Sequence, residues 1–158
     1  MGLVALRAGD LAGGRSLLEE SLALLDKYDD HWTRAVALTF LGLLELAAGE
    51  SGRAEALLGQ SAALQRSIDN PTLLPWCLEG LAGVAAARGR WGGAARLCGA
   101  HDALRARLGW DLPPAHADGY AATLTSIRAV LGEESFAAAH ASGAAMTLEA
   151  ALDDGTGA

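Results

Sequence analysis

The sequence predicts an all-α protein, an antiparallel helix-pair solenoid of about two and a half repeats closed by a helical C-terminal cap. Three observations predict it. Residues recur at a forty-residue period: Gly9, Gly49 and Gly89, then Leu17, Leu57 and Leu97, then Leu24, Leu64 and Leu104. Within each unit, apolar residues are spaced by three and four, as one face of a helix requires. The units are punctuated by glycine and by Asp69-Asn70-Pro71, where the chain cannot continue a helix. The expected partition is repeats over residues 1–110, a cap over 111–152 and a disordered tail over 153–158.

The elements follow in order. Gly2 to Ala8 read as the remnant of a first helix, so the array starts mid-repeat, as an excised piece of a longer protein or a degenerate cap would. A helix from Asp30 or His31 to Ala48 carries Val36, Phe40, Leu43, Leu44 and Ala47 on one face, and Gly49 stops it. Its partner runs from about Gly52 to Ile68 through Ala56, Leu57 and Leu64. The third unit pairs a helix ending at Arg88 with one from Trp91 to Leu108, and a further helix spans about Ala115 to Leu131. Thr147 is placed to cap a short helix with Glu149 in its first turn. Asp153 to Ala158 show no periodicity.

Composition narrows the function classes. Hydrophobic residues make up 51% of the 158 and aromatics only 5%, so Ala, Leu and Val must build the core. Eleven Arg and one Lys (Lys27) against nineteen acidic residues give a net charge of −7, unfavourable for direct nucleic-acid binding. Cys77 and Cys98 supply neither a disulfide framework nor a four-ligand zinc site, and both fall in apolar patterns that predict buried thiols. No secretory leader precedes Leu3-Val4-Ala5-Leu6, and the most apolar run, Ala35 to Leu44, is too short to span a bilayer. A cytoplasmic protein without membrane contact is expected.

The internal glycines Gly14, Gly42, Gly52, Gly83 and Gly93 cost helix propensity, and close helix contacts can offset that. Gly42 precedes Ala54 by twelve residues, as Ala82 precedes Ala94. Leu41-Gly42, Ala54 and Leu58 resemble the tetratricopeptide-repeat signature, with Leu81-Ala82, Ala94 and Cys98 as a weaker copy. The aromatic that usually precedes the Leu-Gly pair is Leu38 or Leu78, and the usual tyrosine position holds Glu45 or Ala85. The tail resembles the closing segment of LuxR-type and AfsR-like bacterial signal-transduction ATPase regulators, through Leu131-Gly132-Glu133-Glu134-Ser135-Phe136-Ala137-Ala138-Ala139 and Ala145-Met146-Thr147-Leu148-Glu149. That resemblance implies a ligand- or partner-sensing repeat region. The phosphate-loop signature of the ATPase is absent from the sequence, and so is a basic recognition helix after Leu152.

Chemistry-bearing patterns are few. His31, His101, His116 and His140 show no spacing of three or four residues to another His or Cys, so no metal is expected. His101-Asp102 and His116-x-Asp118 are near enough in sequence to touch. The doublets Glu19-Glu20, Asp29-Asp30 and Glu133-Glu134 read as helix-end or solvent-facing charge. Arg88, Arg90, Arg96, Arg105 and Arg107 read as a solvated face, or as a site for an anion or partner. No catalytic residue and no cofactor are expected. A solenoid's first helices line its inner groove, which here puts Trp32, Val36, Thr39, Leu43, Trp76 and Glu79 on a surface for a protein or peptide partner or a hydrophobic small molecule. The alternative is a stand-alone scaffold, homodimeric through the N-terminal edge of Leu3, Leu6, Leu11 and Leu22.

Overall fold

The computed structural model describes residues 11–111 and 114–157, the side chains of 114–116 excepted. Expectations that fall on Gly2, Leu3, Leu6, Gly9 and His116 lie outside this description. The described residues form eight α-helices, one 3₁₀ turn and no strand. The helices are α1 Leu11–Leu25, α2 His31–Ala47, α3 Ser51–Ser67, α4 Leu74–Ala87, α5 Trp91–Leu108, α6 Pro114–Leu131, α7 Glu133–Ala144 and α8 Leu148–Thr156. The 3₁₀ turn Pro71–Leu73 leads into α4.

Local chemistry places these boundaries. The Asp30 carboxylate caps α2, accepting from Thr33 N at 2.9 Å and from Thr33 Oγ1 at 2.6 Å. Gly49 and Gly89 take φ of 85° and 74°, a left-handed conformation open to glycine at little cost, which ends α2 and α4. Asn70 Oδ1 accepts from Thr72 N, so the Asp-Asn-Pro break becomes a capped turn. Thr147 Oγ1 accepts from Ala150 N at 3.2 Å and starts α8, as its position predicts.

The chain divides into two compact units, Met1–Gly80 and Leu81–Ala158. The first unit packs α2 against α3 and α1 against α2. Leu18, Ala37, Leu41 and Leu44 form a core to which Leu11, Leu22, Phe40 and Leu57 add. Leu58 is fully buried, and glycines make room for it: a Cβ on Gly42 would lie 2.7 Å from Leu58 Cγ, and one on Gly80 2.6 Å from its Cδ1. Gly42 thus meets the second helix of its own pair, near Ala54 O and Leu58, as the twelve-residue spacing predicts. Gly93 does not behave this way; nothing lies closer to its added Cβ than the Arg96 side chain at 3.7 Å.

In the second unit, α5 packs against α7, α8 and α6. The α5–α7 crossing brings backbone against backbone. A Cβ on Gly99 would lie 1.9 Å from the His140 carbonyl oxygen, and one on Gly143 1.8 Å from that of Arg96. Of the residues expected to form a disordered tail, 153–156 are helical and Gly157 caps the helix. Asp153 and Asp154 continue α8, Gly155 lies against Leu81 and Leu97, and Asp154 takes two hydrogen bonds from Arg96, at 2.8 and 3.1 Å. A segment this short spans less than two helical turns, too few for a period to show. The expected boundary at 110 is not a boundary of these units, since α5 shares its unit with the C-terminal helices.

Candidate functional site

The groove residues read from the sequence do not line an open surface together. Thr39 is fully buried: its Oγ1 lies 2.7 Å from Ser61 Oγ and 2.9 Å from Ala35 O, with Cys77 Sγ at 3.7 Å. Gln65 closes this cluster, donating through Nε2 to Ser61 Oγ and to Cys77 Sγ and accepting Leu73 N on Oε1 at 2.9 Å. Each hydroxyl donates one proton and accepts through its lone pairs, Ala35 O serving as acceptor to both and Gln65 Nε2 as donor to Ser61, so every polar side-chain atom of the cluster has a partner. Burial pushes the Cys77 thiol above its ordinary pKa, against the opposing hydrogen bonds of Thr39, Ser61 and Gln65. Trp76 is buried too, its ring edge-on to Phe40 at 6.0 Å between centroids. Leu43 is half-buried, and its Cδ2 would lie 2.9 Å from a Cβ on Gly80. Val36 and Glu79 are half-buried and Trp32 is exposed. Helix α4 packs where a free groove was expected, which internalises Thr39 and Trp76.

Of the N-terminal edge, Leu3 and Leu6 lie outside the described residues. Leu11 and Leu22 join the core, and the apolar residues left exposed on or just after α1 are Leu17, Leu24 and Tyr28. Glu45, which follows the apolar run, is fully buried rather than solvent-facing. Its Oε2 accepts from Arg15, and its Oε1 lies 3.3 Å from Arg53 Nη1; Arg53 also pairs with Glu19. A buried carboxylate requires such partners. The arginine-rich stretch is partly consumed in the same manner, Arg96 by Asp154 and Arg105 by Asp102.

The residues that do converge lie in the second unit. His101-Asp102 on α5 touch as their adjacency predicts, His101 Nδ1 to Asp102 Oδ1 at 3.1 Å. The fold adds Tyr120 from α6, whose hydroxyl donates to Oδ1 at 3.0 Å, and His140 from α7, whose Nε2 lies 3.0 Å from Oδ2. Arg105 Nη1 lies 3.6 Å from Oδ1, while Arg105 Nε donates to the Trp110 carbonyl at 3.3 Å. Burial raises the Asp102 carboxyl, but hydrogen bonds from His101, His140 and Tyr120 outweigh it and hold the group below the ordinary carboxylate range. Burial and the neighbouring Asp102 charge push the Tyr120 phenol far above its ordinary value, so it keeps its proton and serves only as a donor. The His101 and Tyr120 rings lie 4.5 Å apart, and Phe136 stacks under His140 at 5.5 Å.

A cleft of about 680 Å³ opens beside this hub, lined by Asp102, Arg105, Ala106, Gly109, Trp110, Asp111 and Tyr120. The cleft is open to solvent, and three of its seven lining residues are charged. Sequence reasoning reached only the His101-Asp102 pair. Tyr120 and His140 are 18 and 38 residues from Asp102, and no local spacing announces them. No group of three or more His, Cys, Asp or Glu among the described residues could hold a metal ion. No helix among them is long and apolar enough to cross a membrane. No protein-family model matches the chain, and comparison with curated proteins and with solved structures finds no match either.

Proposed function

We propose that the chain is a non-catalytic binding module built from tetratricopeptide-like helix pairs, acting as the ligand- or partner-sensing repeat region of a larger bacterial transcriptional regulator. The observation that carries the binding reading is the cleft beside Asp102. Its walls are positioned by three helices tied to one carboxylate, a rigid setting suited to recognition. The same hydrogen bonds argue against catalysis. Asp102 accepts from three donors and Tyr120 holds its proton, so neither is available as a base. The hydroxyls of Thr39 and Ser61 face each other, a backbone carbonyl and Gln65, without a histidine to activate them.

The test is an amide and indole NMR titration of the whole chain with a set of charged and neutral aromatic fragments. Saturable shifts confined to the Trp110 and Tyr120 surroundings support the reading; a set in which no member moves those signals contradicts it. The wider assignment to a regulator rests on the sequence resemblance, and a phosphate-loop ATPase encoded in frame upstream of Met1 is its test. One observation favours the scaffold alternative: Leu17 and Leu24 on α1, and Tyr28 just after it, remain exposed. Sedimentation decides it, since a strict monomer at high concentration removes homodimerisation through these residues.

A further inference from the structure

Resting on the binding reading above, we propose that the cleft beside Asp102 seats an organic cation, an alkyl- or arylammonium group, with Asp111 as its counter-charge and the Trp110 ring in its wall. The charges of the lining carry this. Among the described lining residues, Asp102 and Asp111 oppose a single Arg105, which leaves one negative charge in excess. Asp102 is not the source of that excess. Arg105 lies 3.6 Å from its Oδ1, and its oxygens already accept from His101, Tyr120 and His140. Asp111 is different: it is exposed, and it has no hydrogen-bond or ion-pair partner among the described residues.

Aromatic rings favour the same sign. The face of an indole or phenol carries negative potential and attracts ammonium groups. The Tyr120 ring is buried against His101 at 4.5 Å, so Trp110 is the ring of the lining that bears on this. An anion would meet the opposite situation. To use Arg105 it must draw the guanidinium from Asp102 and from the Trp110 carbonyl, stripping a half-buried carboxylate of the one arginine that pairs with it among the described residues. The cleft therefore selects charge as well as shape.

Benzylammonium chloride is the probe, with benzyl alcohol and sodium benzoate as its neutral and anionic counterparts, titrated into the whole chain and followed by NMR. Four tryptophans give four indole N–H signals, and Trp110→Phe identifies the one that matters. Benzylammonium is expected to move that signal saturably, with benzyl alcohol and benzoate each at least tenfold weaker. Asp111→Asn is expected to weaken benzylammonium at least tenfold, and Asp111→Glu to restore most of the loss. An unchanged fold in these variants is read from the dispersion of the remaining amide signals. Benzoate binding as tightly as benzylammonium, or Asp111→Asn binding like the parent, overturns the cation assignment while leaving a ligand cleft in place. No shift of the Trp110 or Tyr120 signals with any of the three overturns the cleft as a ligand site altogether.

Discussion

Leu17 and Leu97 hold the same place in the forty-residue register, yet Leu17 is 49% exposed and Leu97 1%. Leu24 and Leu104 repeat the contrast, at 55% and 4%. The difference lies in what covers each helix. Within the first unit α1 packs on α2 through Leu11, Leu18 and Leu22, which leaves its flank in solvent. In the second unit α5 is enclosed by α6, α7 and α8. A repeat period therefore dictates which residues make a helix amphipathic, while its neighbours decide which apolar positions become core.

The two units also join their helices by different chemistry. The first sets a leucine into glycine notches and surrounds Glu45 with arginines, which are charged at every physiological pH. The second presses backbone on backbone and gathers histidines and a tyrosine around Asp102. The largest effect expected from this contrast is at the glycine crossing. Gly143→Ala or Gly99→Ala drives a methyl into a carbonyl that no rotamer change can move, and should cost about 3 kcal/mol or more. Gly42→Ala clashes with the flexible Leu58 side chain, with the Ala54 carbonyl oxygen further off at 3.4 Å, and should cost about 1–2 kcal/mol. Urea midpoints rank the variants, and equal costs would erase the distinction.

Next in size is the Glu45 cluster. Replacing both Arg15 and Arg53 by Ala leaves a fully buried carboxylate without a counter-charge and should cost about 3 kcal/mol. Glu45→Leu removes the charge and fills its place, and should stay within about 1 kcal/mol of the parent. A Glu45→Leu variant less stable than the arginine double variant contradicts this account.

At the Asp102 hub, Tyr120→Phe removes one donor and should cost about 1 kcal/mol, read most clearly as faster amide exchange in α6. Tyr120 and Ile127 are the fully buried residues among the described side chains of that helix, so little else retains it. Asp102 also sets a pH dependence. Its folded pKa lies below the 3.8 of a free carboxyl. The stabilisation is therefore complete above that value and fades as the pH falls through the folded one. Asp102→Asn should be less stable at neutral pH and lose part of the parent's acid sensitivity below about pH 4. The smallest effect is at the α8 cap, where Thr147→Ala should cost about 1 kcal/mol or less, seen in the melting temperature.

How much of this was legible in the sequence depends on range. The helices from residue 31 to 108 follow from period, caps and stops, because each signal lies within a turn or two of the boundary it sets. Gly42 against Leu58 was legible as well, through its spacing to Ala54. Gly99 and Gly143 were not, since a glycine inside an apolar helix looks the same whether it meets water or another backbone. Thr39 falls on a groove by its position around the helix relative to Gly42; only the positions of Ser61, Gln65 and Cys77 show that it is satisfied inside. His101-Asp102 stood out as neighbours, whereas Tyr120 and His140 arrive from other helices. Asp154 reads as part of a charged tail because its partner, Arg96, is 58 residues away.

The claim that the two units are held by different contacts is tested most directly by residue-resolved hydrogen exchange on Gly143→Ala. Protection should fall first in α5, α7 and α8, while α2 and α3 keep the exchange rates of the parent protein. A uniform loss across both units, or no loss along α5 and α7, would contradict it.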